Sequence, residues 1–240
     1  MEIVRLQKDV AILIDGSFFL KRFALIFGPD NSPREIITKL EEMVRYHLAG
    51  DNLYRIYFYH CAPYTKKEVN PINGEAVDFS QSKEVLEKLS LFEELKSRRK
   101  MALRISEKPE AGDWQIKSEQ TKELLTGKMT LDDLSLEDIS FTTPKKGGDM
   151  KIGVDIATLT LKKLVNKIIL IAGDSDFVPA AKLARDEGVD FVLDPMWSPI
   201  KDELYEHIDG LKSVCPRPER LNSEKQRVAE PLKVRAKLEA

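Results

Sequence analysis

The stretch Lys167 to Phe177, KIILIAGDSDF, does most to limit what this chain can become. Ile168 to Ala172 is an apolar run stopped by Gly173 and followed by carboxylates at Asp174 and Asp176. A run that short, bounded by charged and turn residues, reads as a buried strand. Gly173 suits a tight turn, and Asp176 stands where a helix can begin. The strand thus delivers two acids to its C-terminal end, the edge of an open α/β sheet at which ligands bind.

The same grammar recurs earlier. Val10 to Ile14 forms a first strand that runs into Asp15-Gly16-Ser17, and Phe18 to Phe27 continues as a helix. Ser32-Pro33-Arg34-Glu35 can start a second helix: Ser32 caps, Pro33 suits the first helical position and Glu35 completes a capping box. Ile36, Ile37, Leu40, Met43, Val44 and Leu48 follow at helical spacing up to Gly50. Residues 53–61, LYRIYFYHC, alternate and are rich in aromatics, which predicts the second strand. Residues 62–79 carry loop signals. A helix is predicted over 82–99, burying Val85, Leu86, Leu89, Phe92 and Leu95. Residues 101–106 read as a strand paired with 114–117 across a turn at 109–112, and 118–137 as one or two short helices. The stretch 62–140 is read as an elaboration on a simpler core.

A short strand ending near Thr143 leads into the basic loop Pro144-Lys145-Lys146-Gly147-Gly148, closed by Asp149. Asp149 is expected to cap a helix reaching about Val165, with Ile152, Val154, Ile156, Leu159, Leu161 and Leu164 packed on a sheet. Beyond the opening stretch come a helix over 177–187, a strand over 189–193 closing in Asp194, and a short helix over 201–209. The final 25 residues, 216–240, carry seven Lys or Arg against four Glu and few core-forming residues. They are expected to be a disordered charged tail beyond one folded unit over 1–215.

Composition narrows the chemistry. Two cysteines and three histidines offer neither a disulfide framework nor a zinc ligand set, so a metal here would be held by oxygens. The net charge of −2 demands a local basic patch if nucleic acid is to bind. No apolar stretch has the length of a membrane helix, and the N-terminal residues lack a leader pattern, so a cytoplasmic protein is expected.

Strands alternating with helices imply a parallel sheet, and right-handed crossovers bring all strand C-termini to one edge. Asp15 and Asp174 end two strands; Asp149 and Asp176 begin helices at that edge. A lone Asp after a strand more often caps a helix than ligates. Four at matched places favour a shared divalent cation, Mg2+ or Mn2+, which relieves their mutual repulsion. Lys145, Lys146 and Lys151 beside this edge can contact phosphates. Asp155 lies about 120° round and about 9 Å along the helix from Asp149. It is kept as a further metal candidate, although a structural role is the simpler reading. Ser17 is read as a nucleic-acid contact, with no general base to make it a nucleophile.

Three segments, ILIDGSFFLKR from Ile12, KGGDMKIGVDI at 146–156 and LIAGDSDFVPAAKLARDEGV from Leu170, resemble the NYN domain family of PIN-like ribonucleases, in its bacterial branch. The resemblance spans about 10–210 and is weakest over 62–140. It implies a PIN-like α/β/α fold with a mainly parallel central sheet and acids that bind magnesium or manganese for RNA cleavage. By motif position it assigns the metal roles to Asp15, Asp149, Asp174 and Asp176, and Asp155 matches a second recurrent acid. Phe18 stands where the family often has Asn, and Gly148 where it usually has Val.

The expected function is a metal-dependent endoribonuclease with RNA as partner; a homo-oligomer is left open. A haloacid-dehalogenase-like phosphatase is the first alternative, because GDS with a nearby Asp resembles that superfamily's last motif, but Ser17 occupies the place of the Asp its nucleophile motif needs. A non-catalytic RNA- or protein-binding module is the second.

Overall fold

The computed structural model describes residues 7–107, 109–143 and 148–218. Its centre is β1 (Asp9–Asp15), the strand of VAILI, whose Val10 to Ile14 are completely buried. A strand apolar on both faces needs helices above and below it, and these follow. In chain order they are α1 (Gly16–Phe27) and α2 (Pro33–Leu48), then β2 (Asn52–Cys61), the hairpin strands β3 (Lys67–Val69) and β4 (Ala76–Asp78), α3 (Lys83–Lys96) and β5 (Met101–Ser106). Next come β6 (Asp113–Ile116), α4 (Ser118–Leu125), β7 (Ile139–Thr142), α5 (Gly148–Leu161) and β8 (Lys167–Ile171). The chain closes with α6 (Val178–Asp186), β9 (Asp190–Asp194), α7 (Asp202–Glu206) and β10 (Gly210–Leu211).

Six strands form a parallel sheet in the order β10-β9-β8-β1-β2-β5. Alternation along each strand divides the core. Val10, Ile12 and Ile14 face α1–α3 through Phe19, Phe23, Leu40 and Leu95. Ala11 and Leu13 face α5 and α6 through Ile152, Ile156, Val178 and Ala181. The α/β/α expectation holds, and so does the capping box at Ser32, with Pro33 at the helix start. Among the described residues no helix is long and apolar enough to cross a membrane.

Several expectations need correction. The segment at 114–117 pairs antiparallel with β7, Trp114 opposite Phe141, and not with β5, which joins the main sheet beside β2. Residues 62–79 include the β3–β4 hairpin, turned by Asn70 to Gly74. Within 62–140, α3 packs on α2 and β5 joins the main sheet beside β2. In α3 the buried residues are Val85, Leu91, Phe92 and Leu95, while Leu86 and Leu89 are exposed. In α5, Val154 and Leu161 face solvent, so only one stripe of that apolar helix meets the sheet. The charged tail expected over 216–240 lies outside the described residues from 219 onward.

The two small sheets hang from the C-terminal ends of β2 and β5. A separate aromatic cluster joins them: Phe79 lies 4.5 Å from Phe141 and Trp114 lies 5.3 Å from it, centroid to centroid, with Tyr64 packed at 5.1 Å.

Candidate functional site at the strand ends

From β1 the chain runs outward to β2 and β5, then returns to β8 on the other side of β1 and continues to β9 and β10. The reversal between β1 and β8 is a topological switch point. In open α/β sheets the crevice beyond the strand C-termini at such a point is where ligands bind. Ile14 stands opposite Ile171, so Asp15 leaves β1 level with Ala172, and Asp174 follows two residues later. These two acids flank the crevice.

Each is shaped by a cap. Asp15 accepts hydrogen bonds at Oδ1 from the Ser17 and Phe18 amides, 2.9 and 3.2 Å, and so starts α1. The turn must be tight, because a Cβ on Gly16 would lie 2.4 Å from the Phe58 ring and 2.5 Å from the Tyr59 carbonyl. Asp174 caps a 3-10 turn over Ser175–Phe177, accepting from the Asp176 amide at 3.3 Å. Asp174 and Asp176 are exposed and Asp15 is half-buried. Phe18 fills the space between the two turns: a Cβ on Gly173 would meet its Cε2 at 2.3 Å.

Asp149 is exposed in the first turn of α5, which begins one residue earlier, at Gly148, so Asp149 is inside the helix and not its cap. The helix packs against the 3-10 turn that carries Asp176. Asp155 is turned elsewhere. It accepts from the Tyr59 hydroxyl at 2.7 Å and from Arg104 Nε at 3.1 Å, tying α5 to β2 and β5. Burial, then the bond to Asp155, pushes the Tyr59 hydroxyl far above the usual phenol range. Asp155 is thereby engaged as a cross-brace.

The lysines divide similarly. Lys151 donates to the Ile105 carbonyl at 2.9 Å, which docks it on β5. Lys145 and Lys146 lie outside the described residues. The Ser17 hydroxyl makes no hydrogen bond to a histidine or carboxylate among the described residues. On the other flank, Lys201 Nζ donates to Ser175 Oγ at 3.0 Å, a contact that the motif spacing does not reveal. Its signal was topological: Lys201 sits in the loop that leaves β9 at this same edge. The third strand-end acid, Asp194, is fully buried and paired with His47 Nε2 at 2.8 Å.

Among the described residues no three Asp, Glu, His or Cys side chains stand together as a ready metal cage. The donors at the crevice are nevertheless hard oxygens on an open edge. They fit, in kind, an ion such as magnesium that keeps several waters and takes only a few carboxylates.

The chain matches the family model described as NYN domain over residues 9–203. A search of curated proteins gives no match. Among solved structures, a protein of unknown function from Vibrio parahaemolyticus RIMD 2210633, VPA0982, is similar over 87% of this chain and 93% of its own, at 10% identity and a TM-score of 0.47. With its family model spanning most of the sequence, the chain belongs to the NYN domain family, a PIN-like family generally associated with ribonuclease activity.

Proposed function

We propose that this protein is a metal-dependent endoribonuclease that hydrolyses RNA phosphodiester bonds at the β1/β8 crevice. The observation that carries the reading is that Asp15 and Asp174 stand on either side of the switch point, with Asp176 in the turn after Asp174 and α5 packed on that turn. Asp15, Asp174 and Asp149 would hold Mg2+ or Mn2+, with Asp176 as a further ligand. When bound, such an ion lowers the pKa of a coordinated water and neutralises charge on the leaving oxygen. The chain's own part is positional. The caps made by Asp15 and Asp174 fix the two carboxylates relative to the sheet, and Phe18 closes the gap between their turns.

Cleavage of single-stranded RNA in manganese or magnesium tests this, with Asp174→Asn beside the wild type. Asn still accepts the cap hydrogen bond, so the fold should persist while the ligand charge is lost. We expect cleavage to fall by about a hundredfold or more. Equal activity of the two proteins would mark a contaminant and sink the reading.

The second reading is a non-catalytic RNA-binding module, favoured by the lack of a ready ligand cage among the described residues. Manganese should raise the melting temperature if the acids bind it, by linkage; an unchanged value favours the module.

A further inference from the structure

Beside the crevice lies a cleft of about 530 Å3 lined by Ser175, Asp176, Val178, Pro179, Lys182 and Glu203. Lys201 reaches its rim by donating from Nζ to Oγ of the lining residue Ser175 at 3.0 Å. Three separate elements therefore meet there: the 3-10 turn capped by Asp174, the first turns of α6, and the start of α7. Lys182 and Lys201 are both exposed, and neither makes an ion pair among the described residues.

We infer that this cleft binds the ribonucleotide next to the scissile bond, with Lys182 and Lys201 on its phosphate and Glu203 accepting from its 2′-hydroxyl. The inference rests on the nuclease reading and deepens it. Its chemistry follows from the mixed lining. Two cations and a serine hydroxyl offer donors to a phosphodiester. Two carboxylates offer only acceptors, and the ribose hydroxyl is the one donor on an RNA backbone. An open basic patch would take RNA and DNA alike, whereas this lining separates them. The position also suits the role, since Ser175 and Asp176 directly follow the crevice acid Asp174.

The test is binding of the full chain to a fluorescein-labelled uridine 20-mer and to its deoxy counterpart, in EDTA so that nothing turns over. Each phosphate contact on a single strand adds about 0.7 to the slope of log affinity against log salt. The double variant Lys182→Ala/Lys201→Ala frees that one phosphate and should therefore lose about 0.7 from that slope. Lys182→Arg/Lys201→Arg should retain the slope, and so should Lys39→Ala/Lys96→Ala, which removes two charges from α2 and α3. Glu203→Ala should weaken RNA binding severalfold and leave DNA binding unchanged. An unaltered slope in the Lys182/Lys201 double variant, or no binding by the wild type, overturns the cleft. Equal tightening on RNA and DNA in Glu203→Ala overturns the hydroxyl contact. Manganese cleavage assayed in parallel separates the two ideas. Cleavage with an unaltered slope leaves the nuclease and removes the cleft; a reduced slope without cleavage does the reverse.

Discussion

Asp149 and Asp155 stand on one helix, yet they belong to different parts of the molecule. Asp149 is exposed in the first turn of α5, while Asp155 is committed to Tyr59 and Arg104. Replacing Tyr59 by Phe removes a hydrogen bond to a charged acceptor, which costs about 1.5–3 kcal/mol. Urea unfolding of Tyr59→Phe should show that loss, while the RNA cleavage proposed above should keep the wild-type rate. A rate loss as large as that of Asp174→Asn would place Asp155 among the metal ligands after all. A second buried group gives a pH signature. Burial, and then the neighbouring Asp194, push the Cys215 thiol from an ordinary 9.0 up to about 11. The folded protein keeps a proton that the unfolded chain releases, so the thiol's contribution is complete below pH 9 and lost as pH rises through about 11. Unfolding free energy should fall across that window in the wild type, and less steeply in Cys215→Ala. Parallel slopes would contradict the assignment.

At the scale of elements, two turns share one aromatic ring. Phe18 belongs to α1 and Gly173 to the turn that follows β8, and they fit only because Gly173 has no side chain. Gly173→Ala should cost about 1–3 kcal/mol by overpacking. Removing the ring should return part of that loss, so Phe18→Ala/Gly173→Ala should be more stable than the two single losses predict. Additive melting-temperature shifts would show that the ring is not the obstacle. This scale also shows what the residues disclose by themselves. β1, β8 and β9 are legible because continuous apolar runs end in Gly or Asp, and α2 because Ser32, Pro33 and Glu35 mark its start. The β6–β7 pairing is hidden, since Trp114 and Phe141 are far apart in sequence and Ser106 is closer to hand. β10 has two residues and no pattern to read. The outer face of α5 misleads, because Val154 and Leu161 are apolar without being covered. The edge that carries Asp15 and Asp174 follows from topology alone. How their carboxylates are aimed depends on caps and on Phe18, which no periodicity encodes.

For the molecule as a whole, the sheet and its inserted layer are distinct packing units. Neither of the two main cores contains Tyr64, Phe79, Trp114 or Phe141. Those four rings form their own cluster, which packs β3–β4 against β6–β7. Stability in such a molecule should be uneven, with the insert opening before the sheet. Phe141 is central to this cluster because it touches the other three rings and also lies against Gly112, where a Cβ would sit 2.5 Å from the ring. It is half-buried, so Phe141→Ala should cost less than a fully buried Phe, about 2 kcal/mol locally. That corresponds to a loss of about 30-fold in hydrogen-exchange protection across β3, β4, β6 and β7. The amides of β1 and β8 should keep their protection, since nothing they pack against has changed. If protection fell equally in the insert and in β1, the two would be one cooperative unit. The insert would then be part of what holds Asp15 and Asp174 at the crevice, and losing it should lower cleavage as well as stability.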